Sequence, residues 1–442
     1  MYLHTSESIP SYEVSSTPEL YFLRGCNKRA AQVVRGPSLS VFDVEGVRRD
    51  FPGLHQRVNG KPLIWFDNAA TTQKPQSVID ATSSFYSRDY SNIHRAAHAL
   101  AARSTELSEA GRRKCVNSRR SRREGDCFLR GTTEAVNLVA QSYGRKNIGA
   151  GDEIILTEME HHANIVPWQL LSDQTGAAIR VVPINNRGEL ILDEFARLFG
   201  PRTKFVALAH VSNSLGTINP VEQIIALAHA RGVPVLIDGA QSAPHLPVNV
   251  TALDADFFVF SAHKVFGPTG IGALYGKAHL LEQMPPWQGG GHMIKDVTFA
   301  KTTFQHAPEK FEAGTPDIAG VVGLGAAIDY VTQVGIPADA AYEHGLLEYA
   351  TRALSTVPGL RPIGTAANKA SVLSFVIAGV SIESIAKHLD KHRHRRPSRS
   401  HHCAMPDAAP LWPRGHRERP SLAFYNTHAE VDALIHASSP AP

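Results

Sequence analysis

The chain has 442 residues, 43% of them hydrophobic and 19% charged, the balance of an ordinary globular protein long enough for two structured domains. No apolar run reaches the roughly 18 residues that span a bilayer, and no basic stretch followed by an apolar one opens the chain, so neither a membrane span nor a secretory signal is expected and a cytoplasmic location is. Two dense basic runs account for the net charge of +4, and the four cysteines, Cys26, Cys115, Cys127 and Cys403, show neither a disulfide framework nor metal-ligand spacing, so no metal site is expected.

Residues 1–40 carry Ser, Pro and scattered polar residues with little periodicity and read as a flexible extension with one apolar island at 19–23. A helix with a cap at its start is expected over 40–51, and 63–72 reads as a strand ending in small and polar residues. His94 lies in the following polar segment, where a lone histidine is more often structural than functional. The run Arg130-Gly131-Thr132-Thr133-Glu134 reads as a turn opening into a helix. Backbone N–H groups at a helix start, joined by the Thr132 and Thr133 hydroxyls, make a phosphate cradle, although alone the motif is no more than a cap. A strand over 152–157 leads to His161 and His162, and an imidazole can both lie flat on a pyridine ring and relay protons. A further strand begins at Lys204 and brings Asn213 to its end, and 221–231 is helical.

Two apolar runs then end in chemistry. The run from Val233 places Asp238 at its mouth with Gln241 just beyond, and a carboxylate there can pair with a pyridinium nitrogen. The run from Phe257 to Phe260 delivers Ser261, Ala262, His263 and Lys264 before a Gly/Pro turn. A lysine at the end of a buried strand can have its ammonium pKa lowered, which suits it to Schiff-base chemistry; an isolated Ser-x-His-Lys is as often a strand followed by an exposed lysine. Strands alternating with helices from about 130 to 280 predict a mostly parallel, doubly wound sheet with ligand groups at the strands' carboxyl ends. From Ala319 a long helical stretch leads into a second domain with a central strand over 370–377 and a helix over 381–389.

In this order the segments resemble the class V, fold type I pyridoxal-phosphate enzymes, and among them the cysteine desulfurases of the Suf type, from about 42 to 435. The resemblance implies an α/β, fold type I transferase: a large domain over 67–320 that holds pyridoxal 5'-phosphate, and a smaller α+β domain from 41–66 and 321–442 that carries the catalytic cysteine. It assigns Lys264 to the cofactor's Schiff base and to proton transfer, Asp238 to the ring nitrogen, Gln241 to the ring oxygen and His161 to stacking. Thr133, Ser261 and His263 fall to the phosphate, beside Thr132 of the same helix start, and Thr315 to the phosphate of the second subunit, which implies a homodimer. Asn213 is expected to contact the substrate or the cofactor oxygen, and Arg419 and His94 are assigned to the substrate, Arg419 to its carboxylate. Cys403, in Ser400-His401-His402-Cys403, resembles the thiol that takes the sulfur of L-cysteine as a persulfide, releasing L-alanine and supplying an acceptor protein for iron–sulfur cluster assembly. The extension over 1–40 is read as docking on the enzyme's own surface or, alternatively, as loading it into an encapsulin shell.

Two segments depart from that pattern. Where the family has an apolar strand before the persulfide cysteine, the chain reads Lys391-His-Arg-His-Arg-Arg-Pro-Ser-Arg-Ser400, with Arg399 one place late and Ser400 in place of a glycine. Residues 112–123 likewise put a basic run where an apolar helix end and strand are expected, and 407–417 is also unlike the family. A strand in a buried parallel sheet cannot be solvated cheaply, and no aromatic residues interleave these arginines as nucleic-acid binding would want. Compensated reading-frame shifts explain the abrupt losses of resemblance, and a protein made as written is expected to fold or act poorly. The rivals are a selenocysteine lyase, a transaminase or epimerase with no need of Cys403, and a catalytically impaired cargo or binding protein.

Overall fold

The computed structural model describes residues 42–58, 60–94, 98–381, 384–385 and 419–438. The extension over 1–40, Cys403, the basic segment over 391–417 and most of the helix expected over 381–389 lie outside the described residues.

Seven short runs pair into the central sheet: β1 (Asp126–Leu129), β2 (Glu153–Thr157), β3 (Ala178–Val182), β4 (Thr203–Ala209), β5 (Val235–Asp238), β6 (Phe257–Ser261) and β7 (Gly272–Gly276). Their spatial order is β1-β7-β6-β5-β4-β2-β3. All neighbours from β6 to β3 are parallel, while β7 runs antiparallel to both β6 and β1. Two reversals return β1 to the direction of the parallel strands, so the carboxyl ends of β1, β2, β4, β5 and β6 open on one edge of the sheet. That edge is where ligands bind in such folds.

Near-continuous apolar runs are what a sheet covered on both faces requires. Alternate residues of β5 and β6 feed two cores. Ile237, Phe258 and Phe260 pack with Ile224 and Ala228 of helix Val221–His229 and with Val321, Leu324 and Ile328 of helix Ile318–Val334. Leu236, Phe257 and Val259 pack with Val136 and Val139 of helix Thr132–Val139 and with Trp168 and Leu171 of helix Val166–Thr175. A separate core joins Ile64 and Phe66 to Leu346, Leu347, Leu373, Phe375, Leu422 and Val431. Over it, strands β8 (Leu360–Ile363) and β9 (Ser374–Ile377) form an antiparallel pair.

Several expectations are corrected. The first helix runs only from Val44 to Arg49, and its cap is Asp43, whose side chain accepts the Gly46 N–H at 2.8 Å. Residues 63–72 form no ladder strand: a bridge from Asp67 to Ser421 is followed by a turn, because Asn68 and Ser421 take up backbone groups that a neighbouring strand would otherwise pair. The expected strand over 370–377 is shortened to β9, with Val372 instead bridging Ser421. The long helical stretch after Ala319 is two helices, Ile318–Val334 and Ile336–Leu354, divided at Gly335, whose φ of +94° suits glycine.

The basic run near 112–123 is only partly solvated: Arg113, Arg120, Arg122 and Arg123 are exposed, whereas Arg112 and Arg119 are not. Helix α1 (Ala99–Arg119) buries both Arg112 and Arg119, which are 6% and 5% exposed. Arg112 Nη2 lies 2.7 Å from Glu312 Oε2, and its Nη1 donates to the Asp126 carbonyl at 2.8 Å. Arg119 Nη1 donates to Ser118 Oγ at 2.9 Å and its guanidinium sits 3.4 Å from the Phe260 ring centroid, but it forms no ion pair among the described residues. Among the described residues no helix is long and apolar enough to cross a membrane.

Candidate active site

The strand ends enclose a cavity of about 200 Å³. On its walls stand Lys264, Ser261 and His263 from the end of β6, Asp238 and Gln241 from the end of β5, and Asn213 from beyond β4. His161 reaches it from the turn after β2, Thr132 and Thr133 from the start of helix Thr132–Val139, and Arg419 from a segment remote in sequence. Since β5 and β6 are parallel neighbours, with Asp238 paired to Val259, the carboxylate and the lysine share one edge of the sheet.

Burial sets the charges. Lys264 has partial access to the cavity, yet desolvation, opposed by Asp238 and Asp67 and aided by Arg419, brings its ammonium down to about 8. Asp238 is 4% exposed, and burial raises its carboxyl above the ordinary range while the Ala240 N–H, at 2.9 Å, and Lys264 pull it back. No other hydrogen bond reaches that carboxylate among the described residues. Burial, then the charges of Lys264 and Lys74, hold the His263 ring at about 4, so it is neutral at ordinary pH. His161 Nδ1 accepts the Ala163 N–H at 3.1 Å, which requires that nitrogen to be bare and leaves the proton of the neutral ring on Nε2.

Hydrogen bonds shape the remaining walls. Gln241 Nε2 donates to the Ala69 carbonyl at 2.6 Å, tying β5 to the turn after Asp67. Arg419, 2% exposed, donates from Nη1 to the Asn213 carbonyl at 2.9 Å and from Nη2 to Asp67 Oδ1 at 3.3 Å. Ser261 Oγ accepts the Thr132 N–H at 2.9 Å and donates to Thr132 Oγ1 at 3.0 Å. Gly131, at φ +142°, makes this approach: a Cβ there would lie 2.8 Å from Ser261 Oγ.

Two predicted residues are not brought to this cavity. His94 holds a φ of +63°, its N–H donates to Thr105 Oγ1 at 3.2 Å, and its ring stacks on His292 with centroids 5.3 Å apart. Thr315 lines a separate cavity of about 120 Å³ with Asn92 and His292. Within one chain, His94 and Thr315 therefore neighbour each other's region and not Lys264. Cys403 lies outside the described residues.

Other residues that build the site were not singled out from sequence. Asp67 holds Arg419 across 352 positions, a pairing with no local signal. Glu160 is buried and accepts hydrogen bonds from Thr157 Oγ1 at 2.5 Å, Asn164 Nδ2 at 2.7 Å and the Ala209 N–H at 3.0 Å, which fixes the His161 turn to the end of β4. Burial lifts its carboxyl to about 7 against those three donors. A polar residue directly before His161 was the one available hint.

Residues 64–434 match the family model described as aminotransferase class-V. The chain belongs to the class-V aminotransferase family. It is 57% identical to a cysteine desulfurase of Synechococcus elongatus over 402 residues, 90% of this chain and 63% of that protein. It is 49% identical to a cysteine desulfurase of Klebsiella pneumoniae over 396 residues, 89% of this chain and 97% of that one. Among solved structures it is similar to the cysteine desulfurase CsdA of Escherichia coli, with a TM-score of 0.81 and 40% identity over 90% of this chain and 98% of that one. The chain spans less than two thirds of the length of three of the curated relatives it matches, at 54–57% identity.

The fold type I architecture expected from the sequence is the one observed, and pyridoxal phosphate fits the cavity's donor set. A lysine of lowered pKa can condense with an aldehyde, and a buried carboxylate with a single donor on it can take a ring N–H. The Gly131 turn, kept open by the lack of a Cβ, can take the phosphate beside Thr132, Thr133, Ser261 and His263.

Proposed function

We propose that the chain is a pyridoxal-phosphate-dependent cysteine desulfurase of the Suf type, which converts L-cysteine to L-alanine and leaves the sulfur on Cys403 as a persulfide. The observation that carries this is the convergence of Lys264, Asp238 and Arg419 on one cavity, in a chain whose relatives bear that activity in their names. When bound, the cofactor supplies an electron sink for cleaving bonds at the carbons of an amino acid. Asp238 would hold the cofactor's ring N–H, and Gln241 would hydrogen-bond its ring oxygen. Arg419, itself held by Asp67 and Asn213, offers a planar fork to the substrate carboxylate. Lys264 Nζ, with a pKa near 8, takes the proton from the amino acid's Cα and returns one later. His161 Nε2–H is the nearby group able to donate to a leaving atom. The Cys403 thiolate receives the sulfur: a new S–S bond forms as the substrate's C–S bond breaks, and the remaining three-carbon amino acid is protonated to alanine. The sulfur would pass to an acceptor protein for iron–sulfur cluster assembly, and in a homodimer Thr315 would help hold the phosphate of the second subunit's cofactor.

The test is the chain loaded with pyridoxal phosphate and given L-cysteine with a reductant. Alanine and sulfide released in equal amounts are expected, with selenocysteine turned over no faster. Alanine without sulfide, or a strong preference for selenocysteine, contradicts the proposal. One observation favours a second reading, an impaired family member: behind β6, Arg119 buries a cation that has no ion pair among the described residues. A folded, cofactor-loaded chain that turns over no cysteine would decide for it.

A further inference from the structure

One half-buried cation beside the site has no role in the proposal above. Lys74 follows the turn that begins at Asp67, and its Nζ donates to two backbone carbonyls, that of Thr72 at 2.6 Å and that of His263 at 3.0 Å. The His263 oxygen also receives the Thr72 N–H at 3.1 Å, the Thr71 hydroxyl at 3.1 Å and the Thr72 hydroxyl at 3.2 Å. Four donors thus converge on one oxygen with two lone pairs. That oxygen belongs to the peptide bond leading directly into Lys264. On the far side, the Phe266 N–H donates to Thr72 Oγ1 at 3.0 Å, so one turn grips the backbone both before and after the lysine.

Lys74 makes no ion pair among the described residues, and burial brings its ammonium down to about 8. A cation enclosed without a carboxylate weakens a fold. An apolar side chain of similar length would fill the same space, so the charge is explained by what its N–H groups hold. Packing alone does not need them.

We propose that Lys74 is a positioning residue for Lys264: by clamping the His263 carbonyl it fixes the backbone from which Lys264 Nζ reaches the cavity, and so sets how completely Lys264 captures an aldehyde cofactor. This rests on the assignment of Lys264 as the cofactor's lysine. In the covalent step, the Lys264 amine adds to the aldehyde carbon, water leaves, and a C=N bond replaces C=O, with no net oxidation. Freedom in the His263 peptide lowers the linked fraction without removing the pocket's non-covalent contacts.

The full chain and its Lys74→Met, Lys74→Arg and Thr71→Val variants are saturated with pyridoxal phosphate, reduced with borohydride and mapped by mass. The readout is the ratio of cofactor fixed on Lys264 to cofactor bound but not fixed, after cooperative unfolding has been checked for each variant. Lys74→Met is expected to lower the ratio of linked to unlinked cofactor about three- to tenfold, the effect of one lost hydrogen bond. Lys74→Arg, which keeps the donors, is expected to stay within about twofold of the parent. A ratio in Lys74→Met equal to the parent's overturns the inference. Should Lys74→Met not fold, Thr71→Val removes a different donor from the same oxygen, and an unchanged ratio there overturns it equally. If the parent chain itself links no cofactor to Lys264, the assignment of that lysine has failed, an outcome separate from any difference between variants.

Discussion

Arg112 and Arg119 lie on one face of α1, two turns apart and both buried, and they are predicted to respond oppositely to the same change. At Arg119 the cost is a cation taken from water, several kcal/mol in a protein interior. Against it stand a hydrogen bond to Ser118, worth about 1–1.5 kcal/mol, a weaker one to Cys115 Sγ at 3.8 Å, and the face of Phe260, worth about 2 kcal/mol when desolvated. Methionine in its place would bury an apolar chain beside a cavity lined by Leu246, Val265 and Ile328, returning about 1–2 kcal/mol. The balance favours Arg119→Met by about 1–3 kcal/mol. At Arg112 burial also works against the charge, but Glu312 at 2.7 Å more than offsets it and raises the guanidinium pKa. Arg112→Met would strand a buried carboxylate that also holds the Phe128 N–H at 2.7 Å, at a cost of about 3–5 kcal/mol. Urea unfolding followed by circular dichroism reads both as midpoint shifts at constant slope. A higher midpoint for Arg119→Met and a lower one for Arg112→Met are expected. If Arg119→Met is destabilised, that cation is paired in a way the burial argument does not capture, and the mismatch assigned to this basic run is refuted.

Three further outcomes concern the cavity. The rate at which the cofactor-free chain captures pyridoxal phosphate should rise with pH through a midpoint near 8, where Lys264 loses its proton, and level off above it; a midpoint near the ordinary lysine value of 10.5 contradicts the desolvation argument. Asp238→Asn should lower turnover about 10- to 100-fold, the worth of a charge-assisted hydrogen bond of about 1.5–3 kcal/mol, as read by steady-state alanine release. Arg419→Lys loses the fork that joins Asn213, Asp67 and the substrate carboxylate, so KM should rise about tenfold or more while kcat changes less.

The site was legible in sequence where chemistry follows an apolar run directly. Phe257 to Phe260 and Val235 to Ile237 are buried on both faces, so what comes next, Lys264 or Asp238, must emerge at the sheet's edge. The antiparallel insertion of β7 between β1 and β6 was not legible. Pairing partners of a short run such as Gly272–Gly276 are chosen by the whole sheet and leave no local pattern. Leu63 to Phe66 has strand composition, but Asn68, Ser421 and Asn426 claim its backbone groups through contacts more than 350 positions apart. The same distance hides Asp67 from Arg419, as a separation of 200 hides Glu312 from Arg112. The basic run near 112–123 stands where an apolar helix end and strand are expected. Both form, because Arg112 finds a carboxylate and Arg119 an aromatic face.

The most direct test follows one sulfur atom. The chain loaded with pyridoxal phosphate is given a single equivalent of L-cysteine without reductant, alkylated, and its peptides weighed, beside a Cys403→Ser variant. The peptide containing Cys403 is predicted to gain one sulfur atom in step with alanine formation, and the variant to bind the cofactor yet form neither product. Alanine formed by the variant at the parent's rate, or added sulfur found on Cys115 or Cys127 with Cys403 unchanged, would contradict the assignment.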